Sequence, residues 1–151
     1  MDYISYIRSM VGHKAVFMAA ACVLITDSEG RLLLQRRPGG RWGLPGGIAE
    51  LGESMEETAV REAFEETGLE VEVLELWGVY SKYRAVCANG DEIQPVVTLF
   101  RARTVGGELA CDGKETLELR YFAQDGLPEI YCQQHRDMVN DYFSGRRGSY
   151  R

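Results

Sequence analysis

Two periods of apolar and polar residues divide this chain. Between Met55 and Thr67 the apolar positions recur at about 100° per residue, the helical period. Ala59, Val60, Ala63 and Phe64 fall on one face of that helix, and Glu62, Glu65 and Glu66 gather on nearly the opposite one. Ser54 precedes it as N-cap, and Glu57 completes an S-x-x-E capping box. Gly68 supplies the left-handed residue that ends it. A second helix, Ile130 to Phe143, is expected to stop before Gly145. A third, short and amphipathic, carries Tyr3, Ile4, Ile7 and Val11 between Asp2 as cap and Gly12 as stop. It is expected to pack across the domain, with a homodimer contact as the alternative.

Strand patterns fill the intervals. Val16 to Ile25 is a nearly continuous apolar run, which predicts a strand buried on both faces. Arg31 to Arg37 returns from the turn at Asp27-Ser28-Glu29-Gly30. Val71, Val73, Leu76 and Val79 predict a strand reaching Tyr80. After the Asn89-Gly90-Asp91 turn the next strand is Val96 to Arg103, with Pro95 placing its start at an edge or an end. Gly106-Gly107 reads as another turn, and Thr116 to Phe122 alternates with Leu117, Leu119 and Tyr121 on one side. The basic tail, Arg146 to Arg151, is expected to be mobile. Strands on both sides of a central helix, with another helix at the end, predict one α/β domain with a mixed sheet over residues 1–151.

Composition narrows the function. No run approaches the roughly 18 apolar residues of a membrane span, and MDYISYIRSM lacks the features of a secretion signal, so a cytoplasmic location is expected. Net charge is −6, and Glu50, Glu53, Glu56, Glu57, Glu62, Glu65, Glu66 and Glu70 concentrate the acid locally. That argues against a basic face for nucleic acid, and phosphates would be approached through a bridging cation. Cys22, Cys87, Cys111 and Cys132 form no C-x-x-C pair and no zinc-type grouping with His13 or His135. They are expected to be small buried hydrophobes rather than disulfides.

The helical carboxylates pose a question. Like charges three and four residues apart repel by about 0.2–0.5 kcal/mol per pair. A hard divalent cation, which takes carboxylate and phosphate oxygens, would offset that repulsion. A solvated face of good helix formers is the competing reading of the helix by itself.

The flanking spacing separates the two. From Gly47, five residues lead to Glu53, seven more lead to Arg61, and Arg61-Glu62-Ala63-Phe64-Glu65-Glu66-Thr67-Gly68-Leu69 follows. Over residues 47–69 this resembles the Nudix hydrolase signature GX5EX7REUXEEXGU, where U is a bulky aliphatic. Every fixed glycine and charged position is matched, and only Ala63 is smaller than usual. The preceding Trp42 and Pro45-Gly46-Gly47 resemble the segment before that signature. The resemblance implies an α/β/α sandwich with a mixed central sheet and a pyrophosphohydrolase using Mg²⁺ or Mn²⁺. It implies metal ligation by Glu62, Glu65, Glu66 and the Gly47 carbonyl, with Glu53 an additional candidate and Glu50 a weaker one. It also implies that Arg61 orients a motif glutamate.

Outside the motif, Glu115 in KETLELRYF resembles a later-loop general base, and Glu118 competes for that role. Arg36 and Arg37 end a strand beside the Gly-rich loop, where they would meet phosphates or stand as ordinary exposed arginines. Tyr83, like Tyr80, is placed to stack on a base or to pack in the core. The expected substrate is a nucleoside diphosphate linked to another moiety: a nucleotide sugar, ADP-ribose or a nucleoside triphosphate. The alternatives are hydrolysis at an RNA 5′ end and a Nudix-fold sensor that binds a nucleotide without turnover.

Overall fold

The computed structural model describes all of residues 1–151. Its centre is the strand β1 (Val16–Ile25), in which alternate residues serve two cores. Ala20, Cys22 and Leu24 face one apolar cluster, and Ala21, Val23 and Ile25 face another. The first cluster is closed by Met138 and Val139 of α3 (Gln133–Ser144), the second by Ala59 and Ala63 of α2 (Met55–Thr67). A helix therefore covers each face of the sheet, and the continuous apolar run reports burial from both sides.

The main sheet is mixed and six-stranded, in the order β4 (Gly46–Ile48), β1, β7 (Glu92–Gly107), β5 (Leu69–Tyr80), β9 (Ser149–Tyr150), with β6 (Ala85–Val86) also on β7. β1 and β7 run parallel, while β5 and β7 are antiparallel. A separate sheet joins β2 (Leu32–Arg36) to β3 (Trp42–Gly43) and β8 (Glu118–Phe122). The remaining helix, α1, spans Tyr3–Val11, and no helix is long and apolar enough to cross a membrane.

Several expectations needed correction. Pro95 lies inside β7, paired with Met18, not at a strand start. β5 reaches β7 only as far as Val97 and β6 only from Ile93, so Gln94 to Val96 form a local edge where a residue without an N–H is tolerated. Gly106 and Gly107 continue β7 against Glu70 and Leu69 instead of turning. Phe64 is 54% exposed, because the face of α2 that meets the sheet is centred on Ala59, Ala63 and Thr67. α1 carries the expected Asp2 cap yet buries none of its residues. Only Cys22 of the four cysteines is buried, and Cys87 and Cys111 are exposed.

The basic tail is docked. β9 pairs in parallel with β5, and the buried Asp141 collects the tail. Its Oδ2 accepts from the Tyr80 hydroxyl at 2.7 Å and from Ser149 Oγ at 2.8 Å, while Oδ1 accepts from Arg151 at 2.9 Å. A buried carboxylate requires such partners, and they come from segments far apart in sequence.

Candidate active site

The loop between β4 and α2 is held by local chemistry. Glu57 N–H donates to Ser54 Oγ at 3.0 Å and Ser54 N–H to the Glu57 carboxylate at 2.7 Å, the capping box read from the sequence. At the other end Gly68 adopts φ 76° and its N–H returns to the Phe64 carbonyl.

Arg61 projects from α2 over this loop and grips four groups. Its fork donates to both Glu53 oxygens at 2.5 and 3.0 Å, to Glu62 at 2.8 Å, to Glu65 at 3.3 Å and to the Ile48 carbonyl at 3.2 Å. Glu53 also accepts from Thr58 Oγ1 and Glu50 N–H. Its carboxyl is held down to about 2, first by the Arg61 hydrogen bonds. Both Glu53 oxygens are thus engaged with protein donors. Glu50 takes the Tyr3 N–H of α1 instead.

Glu62 and Glu66 sit together against the Gly46-Gly47 backbone. A Cβ on Gly47 would lie 2.5 Å from the Glu62 carboxylate carbon, so only glycine lets this backbone approach so closely. Glu66 accepts from Gly46 N–H at 3.1 Å and from the Gln35 amide. Burial pushes the Glu66 carboxyl up to about 8, with Glu62 adding to the rise and the Arg37 charge opposing it. Glu65 is more than half exposed, with Arg61 as its partner.

The Gly46-Gly47 backbone that the two carboxyls abut also lines a cleft of about 140 Å³, together with Arg37, Tyr131, Gln134 and His135 among others. Arg37 lies over the Tyr131 ring at 4.7 Å, and its buried Nε has no partner. Arg36, its neighbour in sequence, turns instead to Glu118 at 3.2 Å. Tyr83 lines an adjoining depression with Pro95 and Gln134, and its hydroxyl donates to Asp137 at 2.5 Å. Tyr80 is in the core on Asp141. Glu115 is exposed on a loop whose next residue, Thr116, donates to Gln35 at 2.5 Å. Glu118 is tied between Arg36 and Arg120 on β8. The structure therefore brings Glu62, Glu66, Gly47 and Arg37 together and leaves Arg36 outside.

Sequence reasoning missed Gln35, Tyr131, Gln134 and His135. Gln35 had one faint signal, a lone amide after Leu32-Leu33-Leu34. The α3 residues had none beyond helical spacing. His135 accepts the Leu44 N–H on Nδ1 at 3.0 Å, which assigns its proton to Nε2 near the Tyr131 hydroxyl.

Burial first, and then Arg37, lowers His135 from 6.5 to about 3. The folded protein therefore binds fewer protons than the unfolded one below 6.5, and this group's contribution to stability falls with pH by at most about 1.4 kcal/mol per unit. Glu66 acts in the opposite sense, so the comparison needs a variant. From pH 5 to pH 7 the urea midpoint should fall further in His135→Gln than in wild type, because the opposing contribution of His135 is gone. An equal difference would remove His135 as a source of acid sensitivity.

The family model for the NUDIX domain matches residues 16–142. The chain belongs to the Nudix family. Among its relatives is a putative 8-oxo-dGTP diphosphatase of Bacillus subtilis, 32% identical over 83% of this chain and 79% of that one. An ADP-ribose pyrophosphatase of Methanocaldococcus jannaschii is 34% identical over 82% of this chain and 72% of the relative. A solved NUDIX hydrolase from Nitrosomonas europaea superimposes with a TM-score of 0.71 at 27% identity, covering 89% of this chain and 76% of the other. This Nudix chain retains every charged position of the signature.

Proposed function

We propose that this Nudix pyrophosphohydrolase cleaves the pyrophosphate bond of a nucleoside diphosphate linked to another moiety, in the cytoplasm and with Mg²⁺ or Mn²⁺. The observation that carries the reading is the apposition of the Glu62 and Glu66 carboxyls on the Gly46-Gly47 backbone, at the edge of the cleft that holds Arg37. Two carboxyls so placed repel, and a hard cation fits them. No three His, Cys, Asp or Glu side chains close on one point, so Glu62 and Glu66 would hold the cation with the Gly47 carbonyl, substrate phosphates and water. Glu65 completes the candidate ligand set from the exposed side of α2. A bound cation supplies Lewis acidity at the phosphoryl oxygens and lowers the pKa of bound water.

The chain's own residues supply positioning, which dominates phosphoryl transfer. Arg61 holds Glu62 and Glu65 in place, with Glu53 as its anchor rather than a ligand. Arg37, whose charge already faces Glu66, neutralises phosphate oxygens. Glu115 is the proposed general base, on a loop attached to Gln35 beside Glu66. Tyr131 and Gln134 line the space available to the moiety beyond the phosphates, and Tyr83 lies in the depression next to them. The relatives' names differ in substrate, one an oxidised nucleoside triphosphate and one ADP-ribose, so the leaving group is taken as the variable part.

The test is product analysis on ADP-ribose, nucleotide sugars, dinucleoside polyphosphates, and native and oxidised nucleoside triphosphates, each with Mg²⁺ and with EDTA. Release of a nucleoside monophosphate from one of them, abolished by EDTA, is the expected result. Binding without release by folded protein would instead favour a sensor.

A further inference from the structure

One buried side chain near the carboxyls belongs to neither apolar cluster. Gln35 lies in β2 after three buried leucines and is itself 0% exposed. A buried amide is destabilising by about 1–3 kcal/mol unless its groups are paired. Its Nε2 donates to the Leu44 carbonyl at 3.3 Å and to Glu66 Oε2, and its Oε1 accepts the Thr116 hydroxyl at 2.5 Å. A flipped amide would set oxygen against the Leu44 carbonyl and the Glu66 carboxylate. The network therefore dictates which end faces Glu66.

Thr116 is also buried, at 1% exposure, and terminates a tight loop. Asp112 Oδ1 accepts the N–H groups of Lys114, Glu115 and Thr116 at 2.8, 3.0 and 3.1 Å. Leu117 N–H then donates to the Arg36 carbonyl at 2.8 Å. The loop is thus fastened to β2 twice, by backbone at Arg36 and by a side chain at Gln35.

We infer that Gln35 is a positioning residue that couples the Glu66 carboxylate to the loop bearing Glu115, so that both sides of the site share one arrangement. The inference rests on the metal-dependent reading given above. Hydrogen-bonded partners of a ligating carboxylate set its orientation and its affinity for the ion. Thr116 touches Gln35 and not Glu66, and its hydroxyl anchors the Gln35 amide where Nε2 meets the carboxylate. Removing that hydroxyl leaves the Gln35 oxygen buried without its partner, so the amide is held less firmly against Glu66. A purely structural network would change unfolding temperature and leave metal affinity alone.

The experiment is a Mn²⁺ titration by electron paramagnetic resonance on substrate-free protein, with thermal unfolding measured alongside. Gln35→Met should weaken Mn²⁺ binding by about 10–100-fold. Thr116→Val, which keeps the shape and removes the hydroxyl, should weaken it by about 3–10-fold, the range of one neutral hydrogen bond. Thr116→Ser keeps the hydroxyl and should bind as wild type does. If Gln35→Met does not fold, the Thr116 pair decides. Unchanged affinity in folded Thr116→Val, or an equal loss in both Thr116 variants, overturns the coupling while leaving the metal site standing. Wild-type protein that takes up no Mn²⁺ overturns the metal reading, and the coupling with it.

Discussion

Glu66→Gln is expected to make the metal-free protein more stable at pH 8 while removing its turnover. In the folded chain the Glu66 carboxyl is pushed up to about 8 from an ordinary 4.5, with burial the largest cause. Between those values the folded state holds a proton that the unfolded state has released, so stability falls as pH rises through the window. A glutamine carries no charge to bury, which should return on the order of 1–3 kcal/mol at pH 8. For a chain of this size that is roughly 2–4 °C in Tm per kcal/mol. The amide oxygen can still accept from Gly46 N–H, and the new NH₂ replaces the oxygen that accepted from Gln35, which offsets part of the gain. Turnover should fall by about 10³-fold or more, since the proposed ligand of the cation loses its charge. Calorimetry in EDTA and hydrolysis assays with Mg²⁺ read the two effects separately. A lower Tm in EDTA would show that the carboxylate is a stabilising group and would undo the argument from burial.

Arg61→Lys should lower both stability and kcat although the charge is kept. The Arg61 fork serves Glu53, Glu62, Glu65 and the Ile48 carbonyl at once. An ammonium has neither the planar geometry nor the number of donors to replace it. Loss of charge-assisted hydrogen bonds should lower stability by about 2 kcal/mol. Misorientation of Glu62 should lower kcat by roughly 10–100-fold, with KM little altered because Arg61 is occupied by protein groups rather than aimed into the cleft. Adding Glu53→Gln to this variant should do little further harm, since the pair acts as one unit. A kcat equal to wild type would mean that positive charge alone is sufficient at this position.

Both variants act on a constellation that was largely readable before folding. α2 was specified locally: Ser54, Glu57 and Gly68 set its ends, and a 3.6-residue period put Glu62, Glu65 and Glu66 on one side. The fixed intervals from Gly47 to Glu53 and Arg61 tied that helix to its loop and to a family. β1 was equally plain, because a strand covered on both faces has no polar alternation to hide it.

What the sequence left open depended on partners distant along the chain. Arg36 and Arg37 look equivalent in a list of residues, yet Arg36 is the last residue of β2 and Arg37 lies just past its end. Pairing of β2 with β8 gives Arg36 to Glu118, and Arg37 is left to the cleft. Glu65 and Glu66 look equivalent too, but only Glu66 turns inward, to Gly46 and Gln35. The tail was read as mobile because its partner, Asp141, is a single polar residue on α3 with no local mark of burial. Gln134 and His135 of α3, and Tyr131 in the segment before it, became cleft residues only when that end of the chain was laid against β1. Periodicity and spacing are properties of adjacent residues, and this chain states them clearly. Which buried polar group meets which is set by strand register and helix docking over separations such as the 81 residues between Gln35 and Thr116, and only the folded chain decides that.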